Sequence, residues 1–225
     1  MRKLVACIAC RNQGTRLYGK PLQNLDIEKR ISVIEYMIAA IKTYQSVSNI
    51  VLGISDGSDN VCYIDIAKKN GIDFIIGSEE DVLHRLISCC EKADGTDIFR
   101  ITSESPFTYF EAVDMAWEDH IKSNRDLTAL DNLPDGSGFE IIKLEAYQRS
   151  WKLGDARHRS ELCSLYIREN KEDFSIDYVK IPEEIKRTDI RLTIDYPEDL
   201  ILCRAVFREL KHFAPRIPLS QIIKF

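Results

Sequence analysis

The sequence predicts an α/β fold, a mostly parallel sheet with helices on both faces. Three observations predict it. Short apolar runs of strand length recur through the first half of the chain, at residues 4–9, 49–54, 72–76 and 97–102. Segments with apolar residues at helical spacing alternate with them. Each strand empties into a polar loop. Repeated βαβ alternation builds a parallel sheet, because a parallel return needs a crossover. At 225 residues, 44% hydrophobic and 30% charged, the chain suits a single domain spanning residues 1–225.

The elements follow in order. The run LVACIA is a buried strand, and residues 22–25 form a short extended piece. Ser32 caps a helix through about residue 44, in which Val33, Ile34, Met37, Ile38 and Ile41 recur on one face. Strand 49–54 ends in SDGSDN, which starts a helix over 61–69 closed by Asn70-Gly71. Strand 72–76 precedes Ser78-Glu79-Glu80-Asp81, acidic residues placed where a helix N-terminus favours them. Strand 97–102 ends in SESP, and a helix over about 109–122 follows. The second half reads as strand 127–130, a turn at LPDGSG, strand 139–142, helix 144–153 and an amphipathic helix over 157–170. Strands at 174–181 and 190–194 come next, then a long helix opening at Pro197 with Glu198 and Asp199 in its first turn. The tail, with Pro215 and Pro218, reads as loop and a short terminal helix.

Composition narrows the function. A net charge of -5 argues against a broad nucleic-acid surface. No apolar run approaches the roughly 20 residues of a membrane span, and the N-terminus lacks a signal-peptide pattern. The expectation is a cytoplasmic protein. The seven cysteines are scattered and read as free thiols. Cys7 and Cys10 form a CxxC, but an offset of three on a strand sends them to opposite faces, and no second pair completes a zinc set.

In parallel sheets ligands sit beyond the carboxyl ends of the strands. Loops 10–20, 55–60 and 102–106 all lie at that end. The first, CRNQGTRLYGK, carries Arg11, Arg16 and Lys20 with Asn12, Gly14, Thr15 and Gly19. Glycine lets backbone N–H groups approach phosphate oxygens, and Arg or Lys neutralises their charge. The loop suits a polyphosphate, although it matches neither the Walker A pattern nor GxGxxG.

Six blocks in register carry a family resemblance. CRNQGTRLYGKPL resembles the ARxGSxRLPGKxL signature of the sugar-activating cytidylyltransferases of the spore-coat polysaccharide type, relatives of the acylneuraminate and KDO cytidylyltransferases. IGSEEDVLHR, FRITSESPF, LPDGSGFEII, RSELCSLYIREN and IRLTIDYPEDL are similar to further blocks of that family. The resemblance implies a Rossmann-like nucleotidyltransferase fold, a three-layer sandwich with a small β/α arm at 131–170 for the acceptor or a dimer contact. It also implies transfer of a nucleoside monophosphate from a nucleoside triphosphate, CTP on this resemblance, to a sugar or sugar acid, with release of pyrophosphate. The partners are then a nucleotide, an acceptor and a second copy of the chain, with no nucleic acid or membrane.

On this reading Lys20, Arg16 and Arg11 are catalytic, holding the triphosphate and stabilising the charge that grows during in-line attack. The nucleotide-binding set is Ala9, Arg11, Asn12, Gly14, Thr15, Arg16, Lys20, Ser55, Asp56 and Arg85, the last three by resemblance near the base. Glu104 and Asp195 would hold Mg²⁺, which takes one or two protein carboxylates and completes its shell with phosphate and water. The chain departs from the family at Glu104, where the metal Asp stands, at Tyr18 for Pro, His84 for Asp, Leu162 for a frequent His, and Tyr196 for Thr. Two competing readings are a nucleotide-sugar glycosyltransferase, which predicts an Asp-x-Asp pair where this chain has SESP, and a non-catalytic nucleotide-binding relative.

Overall fold

The computed structural model describes residues 2–225. The chain runs β1 (Leu4–Cys10), β2 (Asn24–Asp26), β3 (Ile31–Ser32), α1 (Val33–Ile41), β4 (Val47–Ser55), α2 (Cys62–Asn70), β5 (Asp73–Gly77), α3 (Val82–Lys92) and β6 (Asp97–Arg100). It continues through α4 (Val113–Ser123), β7 (Leu127–Ala129), β8 (Glu140–Lys143), α5 (Leu144–Leu153), α6 (Leu165–Glu169), β9 (Ile176–Tyr178), α7 (Pro197–Leu210) and α8 (Leu219–Lys224). Seven strands form one sheet in the order β5-β4-β1-β6-β8-β7-β9, and β2 and β3 form a separate antiparallel pair. The strands β5, β4, β1 and β6 run parallel, whereas β8 is antiparallel to both neighbours, β6 and β7.

Strand alternation builds the layers. Leu4, Ala6, Ile8 and Cys10 of β1 face a core shared with α1, α2, α4, α7 and α8. Val5 and Cys7 face the other way, into a core with α3, α5 and α6. Each fully buried aliphatic side chain in these layers contributes about 1.5–3 kcal/mol relative to exposure. Cys7 and Cys10 thus lie in opposite layers, as the offset predicts, and all seven cysteines are free. Helix α1 begins with a reciprocal capping box: Ser32 Oγ accepts from Glu35 N, while the Glu35 carboxylate accepts from Ser32 N. Among the described residues no helix is long and apolar enough to cross a membrane.

Three expectations change. The predicted helix 157–170 is a short 3₁₀ turn, Ala156–Arg159, and a five-residue α6, separated by residues 160–164. Asp155 and His158 close the first turn on themselves in a capping box. The backbone turns extended at Ser160 (φ -74°, ψ -165°), and Arg100 donates to the Glu161 carbonyl at 2.6 Å, so the helical path is interrupted there. The predicted strand 190–194 is extended but makes only one isolated bridge, Asp135 to Arg191. The turn carrying Gly136 (φ 87°) presses against Thr193 so closely that a Cβ there would lie 2.6 Å from its N, so no ladder can lengthen on that side. Residues 131–170 do not stand apart as an arm: β8 lies inside the main sheet and α5 packs beneath it.

Candidate active site

The carboxyl ends of β1 and β6, adjacent parallel strands, open onto a pocket of about 630 Å³. One wall is the loop that leaves β1. Its shape is fixed from within. Gly19 (φ 60°) donates its N–H to Asn12 O at 2.9 Å, closing the loop on itself. Gly14 packs so tightly that a Cβ would sit 2.7 Å from Leu17 O. Asn12 is buried; its N–H donates to Asn60 Oδ1 (2.8 Å), and its Oδ1 accepts from the Tyr63 hydroxyl (2.9 Å). Its Nδ2 donates to Asp59 O.

Sequence reasoning placed Asn12 among the nucleotide ligands. Asn12 lines the pocket, yet its side-chain amide is committed to the 58–63 segment, so it shapes the loop.

Ala9, Arg11, Gly14, Thr15, Arg16, Lys20, Arg85, Glu104 and Asp195 all line the same pocket. Ser55 and Asp56 do not. Ser55 ends β4 opposite Gly77 and is buried, and the Asp56 carboxylate turns back to accept from Gly57 N at 2.9 Å.

The charges are arranged in opposed sets. Lys20 Nζ lies 2.5 Å from Asp195 Oδ1, and Arg16 Nη2 lies 3.2 Å from the same oxygen. Burial alone would push the Asp195 carboxyl up. The Lys20 hydrogen bond and the charges of Lys20, Arg16 and Arg191 outweigh it and hold the group below the usual carboxylate range. Arg11 reaches two carboxylates, Glu79 at 3.4 Å and Glu161. The loop cations therefore face anionic side chains where an anionic ligand would sit.

Glu104 follows β6, held by main-chain pairing to the Asp195 segment: Ile194 N donates to Glu104 O at 3.0 Å. Burial raises its carboxyl, Lys20 and Ser103 pull it back, and the negative charges of Glu161 and Asp195 add to the rise. Among the described residues no group of three or more His, Cys, Asp or Glu side chains gathers to hold a metal ion. The donors present, the carboxylates of Glu104 and Asp195 on one pocket, suit a hard divalent cation that takes the rest of its shell from phosphate and water.

Arg85, on α3, is almost completely buried, at 2% exposure. Nη1 donates to the carbonyls of Gly53 (2.9 Å) and Cys10 (3.3 Å), and Nε has no partner. Among the described residues it makes no ion pair with a carboxylate, so a buried cation stands beside the pocket with unused donor capacity.

Several pocket residues were not singled out from sequence. Arg100 pairs with buried Glu140 at 2.9 Å and holds the Glu161 carbonyl. Asp135 and Glu161 also line the pocket, beside Leu162, the position where the family frequently has His. Arg191 sits behind Asp195, 2.9 Å from its Oδ2. The alternation Arg191, Thr193, Asp195 was the available signal, since alternate residues of an extended segment share a face.

Comparison with known proteins gives a consistent result. A family described as cytidylyltransferase matches residues 5–224. An uncharacterized protein of Methanocaldococcus jannaschii is 29% identical over 225 residues, covering 99% of this chain and 90% of that protein. The spore coat polysaccharide biosynthesis protein SpsF of Bacillus subtilis is 27% identical over 227 residues, covering 99% and 93%. Among solved structures, a cytidylyltransferase from Leptospira borgpetersenii superposes with a TM-score of 0.88 at 21% identity, covering 100% of this chain and 93% of that one.

Proposed function

The chain belongs to the cytidylyltransferase family, and from this we infer that it transfers CMP from CTP to a sugar or sugar-acid acceptor with release of pyrophosphate. One observation carries the reading. Arg11, Arg16 and Lys20 converge from one loop on a pocket that also presents Glu104 and Asp195. That is the charge pattern a metal-bound triphosphate requires. The name of the Bacillus subtilis relative supports a role in surface polysaccharide synthesis.

Nucleotidyl transfer is an in-line displacement at the α-phosphorus, and a protein accelerates it by positioning and charge stabilisation. Lys20 and Arg16 leave Asp195 for the phosphates, and Arg11 leaves Glu161. These three cations stabilise the charge that builds on the α-phosphoryl group and the departing pyrophosphate. Ala9, Gly14 and Thr15 lie close enough to the ligand space to offer backbone contacts. Arg85 offers its spare donors to the carbonyl and ring-nitrogen acceptors of cytosine.

Glu104 and Asp195 would hold Mg²⁺. The ion, when bound, neutralises phosphoryl oxygens and orients the α-phosphoryl group. Glu104 reaches one methylene further than the family Asp. We place the protein in the cytoplasm, where seven free thiols are stable, and take the 131–170 region as acceptor wall and dimer contact. Light scattering that finds only monomer contradicts the dimer.

Pyrophosphate release on mixing the protein with each NTP, Mg²⁺ and a panel of sugars and sugar acids tests the reading. Release that requires CTP and an acceptor is the expected result. Free nucleoside diphosphate from a preformed sugar donor points instead to glycosyl transfer, and binding without turnover to a non-catalytic relative.

A further inference from the structure

Asp195 carries three cations on one carboxylate, and they are not equivalent. Lys20 and Arg16 share Oδ1, at 2.5 and 3.2 Å. Arg191 alone holds Oδ2, at 2.9 Å. Lys20 and Arg16 line the pocket; Arg191 does not. Arg191 is itself fixed from behind. Its Nε lies 3.3 Å from Asp199 Oδ1, and its guanidinium sits 5.4 Å from the centre of the Tyr196 ring. Asp199 is locked in turn, because its Oδ2 accepts the N–H groups of Asp195 and Tyr196, both at 2.8 Å, at the start of α7.

The two oxygens therefore have separate surroundings. Oδ1 faces cations on a loop that a triphosphate would recruit. Oδ2 faces a cation that does not line the pocket. We propose that Arg191 is a positioning residue that anchors Asp195 through Oδ2 while Lys20 and Arg16 leave Oδ1 for the triphosphate, so that Oδ1 is released in place for the divalent ion. The proposal rests on the reading given under Proposed function and goes beyond it by naming what keeps the metal carboxylate in register.

Without Arg191, Asp195 has only Lys20 and Arg16 as counter-ions. It then either retains them in competition with the nucleotide or loses its orientation when they depart. Both outcomes raise the divalent-ion concentration needed for tight nucleotide binding. An arginine suits the task because its guanidinium hydrogen-bonds Asp195 while its charge also lies against Asp199, which Nε approaches at 3.3 Å without a hydrogen bond.

The test is equilibrium binding of CTP by calorimetry across a series of Mg²⁺ concentrations, on the full chain and its Arg191→Gln and Arg191→Lys variants, with a thermal melt for each. The Mg²⁺ midpoint should rise about tenfold or more in Arg191→Gln, the scale of one lost charge-assisted hydrogen bond, and Arg191→Lys should recover part of the shift. A melting point that falls while the Mg²⁺ midpoint stays within about twofold of wild type shows a merely structural residue and overturns the proposal. Should Arg191→Gln fail to fold, an unshifted midpoint in Arg191→Lys overturns it as well. Wild-type protein that binds CTP without any dependence on Mg²⁺ overturns the functional reading and this proposal together. A normal wild-type response with unshifted variants overturns this proposal alone.

Discussion

Replacing Lys20 by Ala separates chemistry from stability, and the structure sets both magnitudes. Lys20 Nζ is 2.5 Å from Asp195 Oδ1, and both side chains are about one-fifth exposed, at 17% and 20%. Removing the lysine does not strand the carboxylate, because Arg16 at 3.2 Å and Arg191 at 2.9 Å remain. The folding cost is then that of one partly solvated ion pair, about 1 kcal/mol at most, or a fall in Tm of about 2–4 °C for a chain of this size. The catalytic cost is larger. A preorganised cation on the transferring phosphoryl group is worth about 2.7–4 kcal/mol, or roughly 100- to 1000-fold in rate. The assay is pyrophosphate release with saturating CTP, Mg²⁺ and whichever acceptor of the panel turns over, beside a thermal melt of the same preparation. A variant that melts within a few degrees of wild type and retains near-wild-type turnover refutes the reasoning, because Lys20 would then serve only to neutralise Asp195.

The remaining predictions concern other groups. Glu161→Gln removes a carboxylate that competes for Arg11, so CTP should bind several-fold tighter, on the scale of one exposed ion pair of about 1 kcal/mol; unchanged affinity in a binding titration counts against competition at Arg11. Arg85→Met should weaken CTP binding by about tenfold or more, the loss of one hydrogen bond from a charged group, while the melt changes little, since relief of a buried cation opposes the loss of its bonds to Gly53 and Cys10; unaltered CTP affinity rules out base recognition by this side chain. His120 lies far from the pocket, at the amino end of β6, buried between Thr128 Oγ1 (2.8 Å) and Asp97 Oδ1 (3.2 Å). Burial holds its imidazole below the ordinary value, against the pull of Asp97. The unfolded chain therefore binds the extra proton first, and the stability tied to neutral His120 is present above about pH 6.5 and lost as pH falls below it. Thermal melts from pH 8 to 5 should fall in the wild type and flatten in His120→Asn; equal slopes contradict this.

The fold was legible where local pattern and tertiary environment agree. The apolar run of β1 and the Ser32 cap before α1 needed nothing beyond their own residues. Legibility failed where distant residues decide. The helical pattern at 157–170 is sound by periodicity, yet Arg100, some sixty residues upstream, takes the Glu161 carbonyl and breaks it (|i−j| = 61). Residues 190–194 alternate like a strand, but the turn at Gly136 occupies the side on which a ladder would grow.

The site shows the same division. Arg11, Arg16, Lys20 and Glu104 could be placed on one rim from topology alone and Asp195 by family resemblance, and all five line one pocket. Asn12 could not be told from a ligand, because its partners Asn60 and Tyr63 lie nearly fifty or more residues away (|i−j| = 48 and 51). Ser55 and Asp56 were placed on the same rim, yet the end of β4 turns both away from it. For Arg191 the alternation with Asp195 was legible as a shared face, but which oxygen of Asp195 it touches is a geometric fact with no counterpart in residue identity.

The most direct measurement is a crystal structure of the protein with CTP and Mg²⁺. The account predicts that Lys20 and Arg16 move onto the phosphates, that the ion lies between Glu104 and Asp195, and that Arg191 remains on Asp195 Oδ2. A triphosphate bound elsewhere, with Lys20 and Arg16 still paired to Asp195, contradicts it.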